Sequence, residues 1–317
     1  MTDTASFPHA DLQTSRVGFG CASMMRVTSA KGRQDLLAAA YDSGIRHFDV
    51  ARLYGLGAAE GELGTFARGR RDEITIATKF GIDPAGGLGA LARFQQPVRA
   101  LLERYPKLRQ AVKRRDEKLL APRQYDAAHA RRSFDTSLRE LGVDHVDVLF
   151  VHDPSPHDDV HSAELVQFFE EQKAAGKLRA WGVSQDAHPG VDFLSPLGPQ
   201  ALLQVRSDVL APAPTDAPRI SFGVLGGAHA KITAALSAAP ELRRRWGTEL
   251  GSDPLVGGKL AALLLADAAA SNPNGALLYS TIRADRIAGA VRAIEQPPSS
   301  EVLAAFAQLA RTLPAAA

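Results

Sequence analysis

The chain has 317 residues, of which 45% are apolar and 23% charged, and its formal net charge is +2. This composition is ordinary for a soluble protein with a large core, and the small net charge gives no argument for binding to nucleic acid or to a membrane. A single cysteine excludes an internal disulfide framework, and the N-terminus lacks the basic start and apolar stretch of a signal peptide, so we expect a cytoplasmic protein.

Strands and helices are predicted to alternate along the chain. Short apolar runs with β-branched and aromatic residues indicate strands at 17–20, 46–50, 73–78, 145–151, 177–184, 201–205, 219–225 and 275–280. Amphipathic segments, most of them ending at or near a glycine, indicate helices at 31–44, 58–69, 126–142, 162–176, 257–271, 284–295 and 299–312. Only a short, irregular helix is expected between the strands 177–184 and 201–205.

The alternation predicts a (β/α)₈ TIM barrel. Setting aside the opening strand 17–20, we count seven or eight inner strands, and nearly every one is followed by a helix. About eight such units, joined by right-handed crossovers, close into a barrel of roughly this length. The alternative is an open doubly wound sheet, which usually has a Gly-rich dinucleotide turn after its first strand. The nearest candidate, GFGCAS at 18–23, lacks the third glycine, so we favour a single barrel domain over residues 1–317.

Four polar side chains stand at the ends of apolar runs. Asp49 and Tyr54 follow one run, and Lys79 and His152 each close another. In a parallel α/β fold the carboxyl ends of all strands lie on one face, where active sites form. We expect the acid, the phenol, the amine and the imidazole to meet there, as a set suited to proton transfer. Taken singly, each has a structural alternative: a buried ion pair, a core tyrosine or a hydrogen-bonded core histidine.

A long segment interrupts the alternation. More than forty residues separate Lys79 from the helix that begins near Asp126, whereas a strand-to-helix loop usually needs only a few. Residues 93–123 hold ten Arg or Lys against three Asp or Glu. We therefore predict a long basic helical insertion, 81–126, that leaves the barrel on the catalytic face as a lid. A solvated helical excursion and an element that docks a partner are the alternatives.

The strand-end motifs resemble those of a known family. GIRHFDVARLYGLGAAEGELG at 44–64 resembles the signature of the aldo-keto reductases, and ITIATKFG, VDVLFVHDP and GKLRAWGVSQ resemble its later blocks in the same order. The resemblance covers roughly residues 12–80 and 127–300. It implies a TIM barrel that binds a nicotinamide cofactor, usually NADPH, without a Gly-rich phosphate loop.

The resemblance also implies separate roles for the four polar residues. Tyr54 would be the general acid that protonates the carbonyl oxygen, and His152 would donate a hydrogen bond to that oxygen. Asp49 would pair with Lys79 and keep its ammonium oriented. A phenol ordinarily has a pKa near 10, and we expect the ammonium of Lys79 to lower the pKa of Tyr54.

Ten cofactor contacts follow from the same resemblance. They are the carboxamide pair Ser184 and Gln185, the family glutamine Gln204, the stacking ring Phe222, the loop residues Gly223 and Leu225, and the adenine-phosphate segment with Ser280, Thr281, Arg283 and Arg286. Guanidinium groups beside a helix start can hold the 2′-phosphate of NADP. Because Gly289 and Ala290 replace the Glu-Asn pair that usually follows, NAD stays an alternative to NADP.

The leading hypothesis is an NADPH-dependent enzyme that reduces an aldehyde or ketone to an alcohol. Two alternatives remain: an NAD(P)-dependent aldose 1-dehydrogenase that uses the same site in reverse, and a non-enzymatic, cofactor-sensing regulatory subunit. We expect a small-molecule carbonyl substrate, bulky or anionic if the basic insertion is a lid. We expect no metal, and neither nucleic acid nor membrane as a partner. The sequence leaves the oligomeric state open.

Overall fold

The computed structural model describes residues 3–84, 122–158, 160, 163–186 and 191–313. Its centre is a closed barrel of parallel strands, in which the last strand pairs with the first. Two strands of an amino-terminal hairpin, β1 (Thr4–Phe7) and β2 (Leu12–Ser15), precede the barrel. In chain order the barrel strands are β3 (Val17–Gly20), β4 (His47–Asp49), β5 (Thr75–Phe80), β6 (Val146–His152), β7 (Leu178–Gln185), β8 (Leu202–Arg206), β9 (Ile220–Phe222) and β10 (Ala276–Tyr279). The predicted (β/α)₈ barrel is confirmed.

The opening strand belongs to the barrel, so setting it aside was wrong. β3 lies between β10 and β4 and pairs with both. Its glycines are needed for this close packing: a Cβ at Gly18 would lie 2.8 Å from the ring of His47 and 2.7 Å from a methyl carbon of Leu278. The short length and the two glycines of β3 make it a poor strand candidate in the sequence. In the structure the glycines allow β3 to pack closely between β10 and β4, which completes the barrel.

Helices surround the barrel. In chain order they are α1 (Ala30–Asp42), α2 (Ala58–Ala67), α3 (Ala127–Leu141), α4 (Ala163–Ala174), α5 (Gly226–Ala238), α6 (Pro240–Glu249), α7 (Lys259–Ala270), α8 (Ile287–Glu295) and α9 (Ser300–Arg311). Aromatic pairs join helix to strand: the rings of Phe66 and Phe48 are 5.5 Å apart, and those of Phe169 and Trp181 stack at 5.4 Å. Over the described ranges, none of these helices has the length and apolar character needed to cross a membrane.

The helix ends follow local rules. Asp126 caps α3 by accepting a hydrogen bond from the main-chain N–H of His129 at 2.8 Å, and Gly142 ends the helix with a φ of +64°. Between β7 and β8 the structure has a three-residue 3₁₀ helix, Ser195–Leu197, in line with the short, irregular helix expected there. Helices α5 and α6 were not predicted. The sequence of α5 is rich in alanine and opens on two glycines, which do not indicate the start of a helix.

An antiparallel hairpin closes the amino-terminal end of the barrel. Its strands, β1 (Thr4–Phe7) and β2 (Leu12–Ser15), were not predicted. The side chains of Phe7 and Leu12 join the apolar cluster inside the barrel and are buried. The hydroxyl of Thr14 lies 2.6 Å from that of Thr75, the first residue of β5, which fixes the hairpin at this end.

The predicted insertion 81–126 falls largely outside the described residues. Only residues 81–84 and 122–126 belong to the described ranges. The lid hypothesis, which depends on residues 85–121, therefore lies outside them.

Candidate active site

Three of the four polar side chains come from neighbouring strands at the carboxyl end of the barrel. Asp49 ends β4 and His152 ends β6, whereas Lys79 is the last but one residue of β5, which continues to Phe80. β5 pairs with β4 on one side and β6 on the other, so the three side chains lie close together. Tyr54 is in the loop after β4, at the start of a short 3₁₀ helix.

The loop that carries Tyr54 is tightly wound. The main-chain N–H of Tyr54 donates to the carbonyl oxygen of Ala51 at 3.0 Å, and the next two residues, Gly55 and Leu56, have φ values of +59° and +53°. A Cβ at Gly55 would lie 2.4 Å from Cγ of Met25, so this position requires glycine. The backbone turn thus fixes the distance between Asp49 and Tyr54.

Lys79 is the centre of the site. Its Nζ donates to Oδ1 of Asp49 at 2.5 Å, to the carbonyl oxygen of Val50 at 3.1 Å and to Oη of Tyr54 at 3.1 Å. Lys79 is 1% exposed, and a buried ammonium ion is tolerated only when it is paired and hydrogen-bonded. Because Lys79 donates to the phenol oxygen, the hydroxyl proton of Tyr54 remains available for another acceptor.

A hydrogen-bonded chain continues from Asp49 across the barrel. Oδ2 of Asp49 accepts from Nε2 of Gln204 at 2.8 Å, and Oε1 of Gln204 accepts from Oγ of Ser184. An ionised carboxylate only accepts hydrogen bonds, so the amino group of Gln204 must face Asp49. Two of the predicted cofactor contacts are therefore held in fixed orientations by the buried carboxylate.

His152 stands edge-on to Tyr54, with ring centroids 6.0 Å apart and planes at 85°. Its Nδ1 is buried and has no hydrogen-bond partner among the described residues. Burial lowers the pKa of His152 well below its ordinary value of 6.5, and the cations of Lys79 and Arg123 lower it further. The imidazole is therefore neutral at neutral pH.

The net pKa shift of Tyr54 is opposite to the one expected from the sequence. Burial raises the pKa of the Tyr54 phenol above its ordinary value of 10.0, and the ammonium of Lys79 opposes this rise without cancelling it. Lys79 acts in the expected direction, but the loss of water around the phenol outweighs it. For Lys79 itself, burial would lower the pKa, whereas Asp49 and Tyr54 together raise it above its ordinary value. At neutral pH the site thus holds an ammonium ion and a protonated phenol.

A cleft of about 520 Å³ opens over these residues. Six of the ten predicted cofactor contacts line it together with Asp49, Tyr54 and His152: Ser184, Gln204, Phe222, Gly223, Leu225 and Ser280. Phe222 is partly buried, so part of its ring surface remains accessible. The cleft therefore combines polar side chains with apolar ones, among them the aromatic ring of Phe222.

The other four predicted contacts lie elsewhere. Successive side chains of a strand point to opposite faces, and since Ser184 points into the barrel, Gln185 points out. Gln185 lines a second cavity with Phe193 and Leu203, so the structure does not place it in the cleft with Ser184, and its contact with the cofactor stays a prediction. Thr281, Arg283 and Arg286 follow β10 outside the cleft.

Among these outer residues, Arg283 and Arg286 are both exposed. The guanidinium of Arg283 pairs with Asp285 at 2.7 Å. The hydroxyl of Thr281 accepts a hydrogen bond from the main-chain N–H of Arg283 at 3.0 Å.

Two charged residues of the cleft were not predicted from the sequence. Arg206 ends β8, donates to Asp186 at 2.7 Å and lies 5.1 Å from the ring centroid of Phe222. Asp153 follows His152 with a φ of +46°, which is uncommon for a residue other than glycine. Both follow a predicted strand closely, and the strand-end criterion that found His152 could have found them.

A buried carboxylate outside the cleft is hydrogen-bonded to both segments that carry site residues. Glu60 in α2 is fully buried and accepts from Thr78 at 2.7 Å and from Arg52 at 2.8 Å. Thr78 precedes Lys79, and Arg52 lies in the loop between Asp49 and Tyr54. Glu60 therefore joins α2 to both segments that carry the site. No group of three or more His, Cys, Asp or Glu residues that could hold a metal ion occurs in the described part of the chain.

Residues 16–195 match the model of the aldo/keto reductase family. The D-threo-aldose 1-dehydrogenase of a Pseudomonas species is 31% identical over 185 residues, which are 55% of this chain and 51% of that protein. The 6-dehydroglucose reductase of Agrobacterium fabrum is 33% identical over 183 residues, 55% of this chain and 50% of that protein. The chain thus spans about half the length of these curated relatives.

Solved structures agree in fold. An aldo-keto reductase from Bacillus halodurans in its holo form has a TM-score of 0.72 at 20% identity, covering 100% of this chain and 98% of that one. An aldo-keto reductase from Klebsiella pneumoniae in complex with NADPH has a TM-score of 0.64 at 20% identity, covering 99% and 96%. Such low identities bear on the fold alone, but the family model covers more than half of the sequence. The chain belongs to the aldo/keto reductase family.

Proposed function

We propose that the protein is an NAD(P)H-dependent oxidoreductase that reduces an aldehyde or ketone to an alcohol, with Tyr54 as the general acid. One observation carries this proposal. A buried ammonium, Lys79, donates a hydrogen bond to the oxygen of Tyr54, which keeps its own proton at the wall of a cleft. The relatives in the same family include both reductases and dehydrogenases, and the chemistry is the same in the two directions.

Tyr54 supplies the proton. Its raised pKa keeps the phenol protonated at neutral pH, so the acid form is fully populated when a carbonyl compound enters. As negative charge develops on the substrate oxygen, the proton passes to it and the phenolate that remains is stabilised by Lys79 at 3.1 Å. Proton transfer from a positioned acid of this kind contributes about 10²–10⁴-fold in rate.

His152 polarises the carbonyl group. A neutral imidazole carries one N–H, and an N–H directed at the cleft can donate a hydrogen bond to the substrate oxygen. The lowered pKa of His152 keeps it from competing with Tyr54 as an acid. Asp49 holds Lys79 in place through one carboxylate oxygen and Gln204 through the other, and Gln204 in turn accepts a hydrogen bond from Ser184.

The cleft suits a nicotinamide cofactor. The accessible ring of Phe222 offers a flat apolar surface for stacking, and Ser184 and Gln204 offer polar groups for a carboxamide. The glycines at 226 and 227, at the start of α5, have open space where a Cβ would be, which leaves room for phosphates beside main-chain N–H groups. When bound, the reduced nicotinamide supplies the hydride that the carbonyl carbon receives.

We infer a preference for NADPH over NADH. Arg283 and Arg286 are exposed beyond the cleft, on the side of Ser280, and guanidinium groups bind phosphate well. Fluorescence titration with NADPH and NADH tests this preference. Replacing Arg286 by alanine is expected to weaken NADPH binding and leave NADH binding unchanged, because only NADPH carries the 2′-phosphate. An equal loss for both cofactors would contradict the assignment.

The direction of the reaction distinguishes the two enzymatic candidates. A sugar dehydrogenase remains the second candidate because one of the curated relatives is a D-threo-aldose 1-dehydrogenase. Initial rates with NADPH and a panel of aldehydes should be compared with rates for NADP⁺ or NAD⁺ and a panel of aldoses. We expect the aldehydes to be the better substrates. Turnover of aldoses alone would assign the dehydrogenase, and cofactor binding without any turnover would favour a regulatory subunit.

A further inference from the structure

Tyr125 makes an unusual contact with the main chain of the site. It precedes α3 and is 5% exposed. Its hydroxyl donates to the carbonyl oxygen of His152 at 2.7 Å and lies 3.3 Å from that of Asp153. Burial raises the pKa of the Tyr125 phenol above its ordinary value of 10.0, so the hydroxyl remains a donor. His152 and Asp153 both line the cleft, whereas Tyr125 is not among its lining residues.

The ring of Tyr125 is seated against the strand that carries Lys79. Gly81, just beyond β5, has a φ of +107°, and a Cβ there would lie 2.1 Å from Cε1 of Tyr125. The ring also packs edge-on to Phe80, with centroids 6.4 Å apart, and the N–H of Gln124 donates to the carbonyl oxygen of Gly81 at 3.0 Å. Tyr125 therefore occupies a space that only a glycine at position 81 leaves open.

The main chain at His152 and Asp153, to which Tyr125 donates its hydrogen bond, is in a conformation that depends on contacts with its surroundings. Asp153 has a left-handed φ of +46°, a conformation that persists for a residue other than glycine only where the surroundings impose it. Its N–H donates to the carbonyl oxygen of Ser184 at 2.6 Å, and its own carbonyl oxygen accepts from Arg123. Together with Tyr125, these bonds fix the peptide units on both sides of the turn that follows His152.

We propose that Tyr125 is a positioning residue for the reaction: its hydroxyl fixes the main chain of His152, and its ring ties that main chain to the end of the Lys79 strand. The imidazole and the ammonium are thereby held at a constant separation on either side of Tyr54. This inference rests on the proposed function of the site. A displaced imidazole would still be neutral and intact, but it would donate poorly to the substrate oxygen.

The first test replaces Tyr125 by phenylalanine, which removes the hydroxyl and keeps the ring. We expect kcat for carbonyl reduction to fall by about 10- to 100-fold, because small misplacements of a catalytic group have effects of this size. The dissociation constant for NADPH should stay within about twofold of the wild-type value. Tyr41→Phe is the matched control, since that hydroxyl donates to Glu73 away from the cleft. Unchanged kcat in Tyr125→Phe would overturn the proposal.

A double-mutant cycle separates positioning from general destabilisation. In a His152→Ala background there is no imidazole to place, so Tyr125→Phe should lower kcat by less than about twofold. An equal fold-loss in both backgrounds would show that Tyr125 acts independently of His152 and would overturn the proposal.

A second variant displaces Tyr125 without altering it. Gly81→Ala would drive a methyl group into the ring of Tyr125 and should reproduce the loss of kcat. Gly69→Ala is the control, because Gly69 also has a positive φ, +74°, but nothing lies within 4 Å of a Cβ there. A loss of kcat that is equal in the two alanine variants would contradict the proposal.

Failure of the proposed function can be told apart from failure of this inference. Absence of any carbonyl reduction by the wild-type protein would remove the proposed function. The placement of His152 would still be measurable by NMR of protein labelled with ¹⁵N-histidine, in which the His152 signals are those lost in His152→Ala. Tyr125→Phe should shift these signals and Tyr41→Phe should not. Unshifted signals in Tyr125→Phe would overturn the inference.

Discussion

Tyr54 keeps its proton because the protein excludes water from around the phenol, and in the proposed reaction Lys79 would stabilise the anion that forms once the proton has left. The two effects act on pKa in opposite directions, with burial raising it and the ammonium lowering it. A site built from Lys79 and Tyr54 in water would give a stronger acid. The buried site instead gives a phenol that is fully protonated at neutral pH and whose oxygen accepts a hydrogen bond from Lys79.

The pH dependence of kcat/KM tests this residue-level description. Reduction needs protonated Tyr54, and since its pKa lies above 10.0, kcat/KM should be constant through neutral pH and fall only at strongly alkaline pH. His152, whose pKa is well below 6.5, should add no inflection near that value. The profile can be measured from pH 6 to pH 10 at saturating NADPH. A tenfold change between about pH 6 and pH 8, the range in which an ordinary histidine titrates, would contradict the assignment.

Helix α2 supports the site through one buried carboxylate. Glu60 is linked to Thr78, the neighbour of Lys79, and to Arg52, which lies between Asp49 and Tyr54. A carboxylate buried in this way is stable only with both partners in place. The geometry of the site therefore depends on the docking of a helix that contributes no side chain to the cleft.

Glu60→Gln should destabilise the protein. Glutamine keeps an oxygen for Thr78 but removes the charge that pairs with the largely buried guanidinium of Arg52 at 2.8 Å, which leaves Arg52 only the carboxylate of Asp83 at 3.9 Å. We expect the free energy of unfolding to fall by about 3 kcal/mol, as is typical when one member of a buried pair is removed. Urea denaturation measures this change. Glu241→Gln, which breaks an exposed pair with Arg244, should cost less than about 0.5 kcal/mol; equal losses in the two variants would refute the role of Glu60.

The sequence predicts the elements that repeat and misses those that depend on their surroundings. The strand-end positions of Asp49, Lys79 and His152 followed from apolar runs alone. The hairpin of β1 and β2 did not, because its short strands are stabilised by burial of Phe7 and Leu12 inside a barrel that the local sequence does not reveal.

Neighbouring residues of a strand lie on opposite faces, so a shift of one residue changes the face. The sequence pattern does not determine the face of a residue at a strand end. Ser184 and Gln185 were assigned to one site, yet the alternation of β7 places them on opposite faces. The direction in which the pKa of Tyr54 shifts could not be predicted either, because it depends on how completely the fold excludes water from around the phenol. The resemblance implied the roles of the polar residues but not their solvation.

The two ends of the barrel differ in structure. The amino-terminal end is closed by the hairpin, whose apolar side chains fill the interior, and the carboxyl end carries the cleft with Asp49, Tyr54 and His152. Conservative changes at the closed end are therefore expected to affect stability, and changes at the open end to affect catalysis.

The rate of carbonyl reduction by Tyr54→Phe is the most direct test of the central claim that Tyr54 is the general acid. Phenylalanine keeps the ring beside His152 and removes only the proton donor. We predict that kcat falls by about 10²–10⁴-fold, while NADPH affinity and the midpoint of thermal unfolding stay close to wild type. Tyr41→Phe should retain full activity. Retention of most of the wild-type kcat by Tyr54→Phe would contradict the assignment of Tyr54 as the general acid.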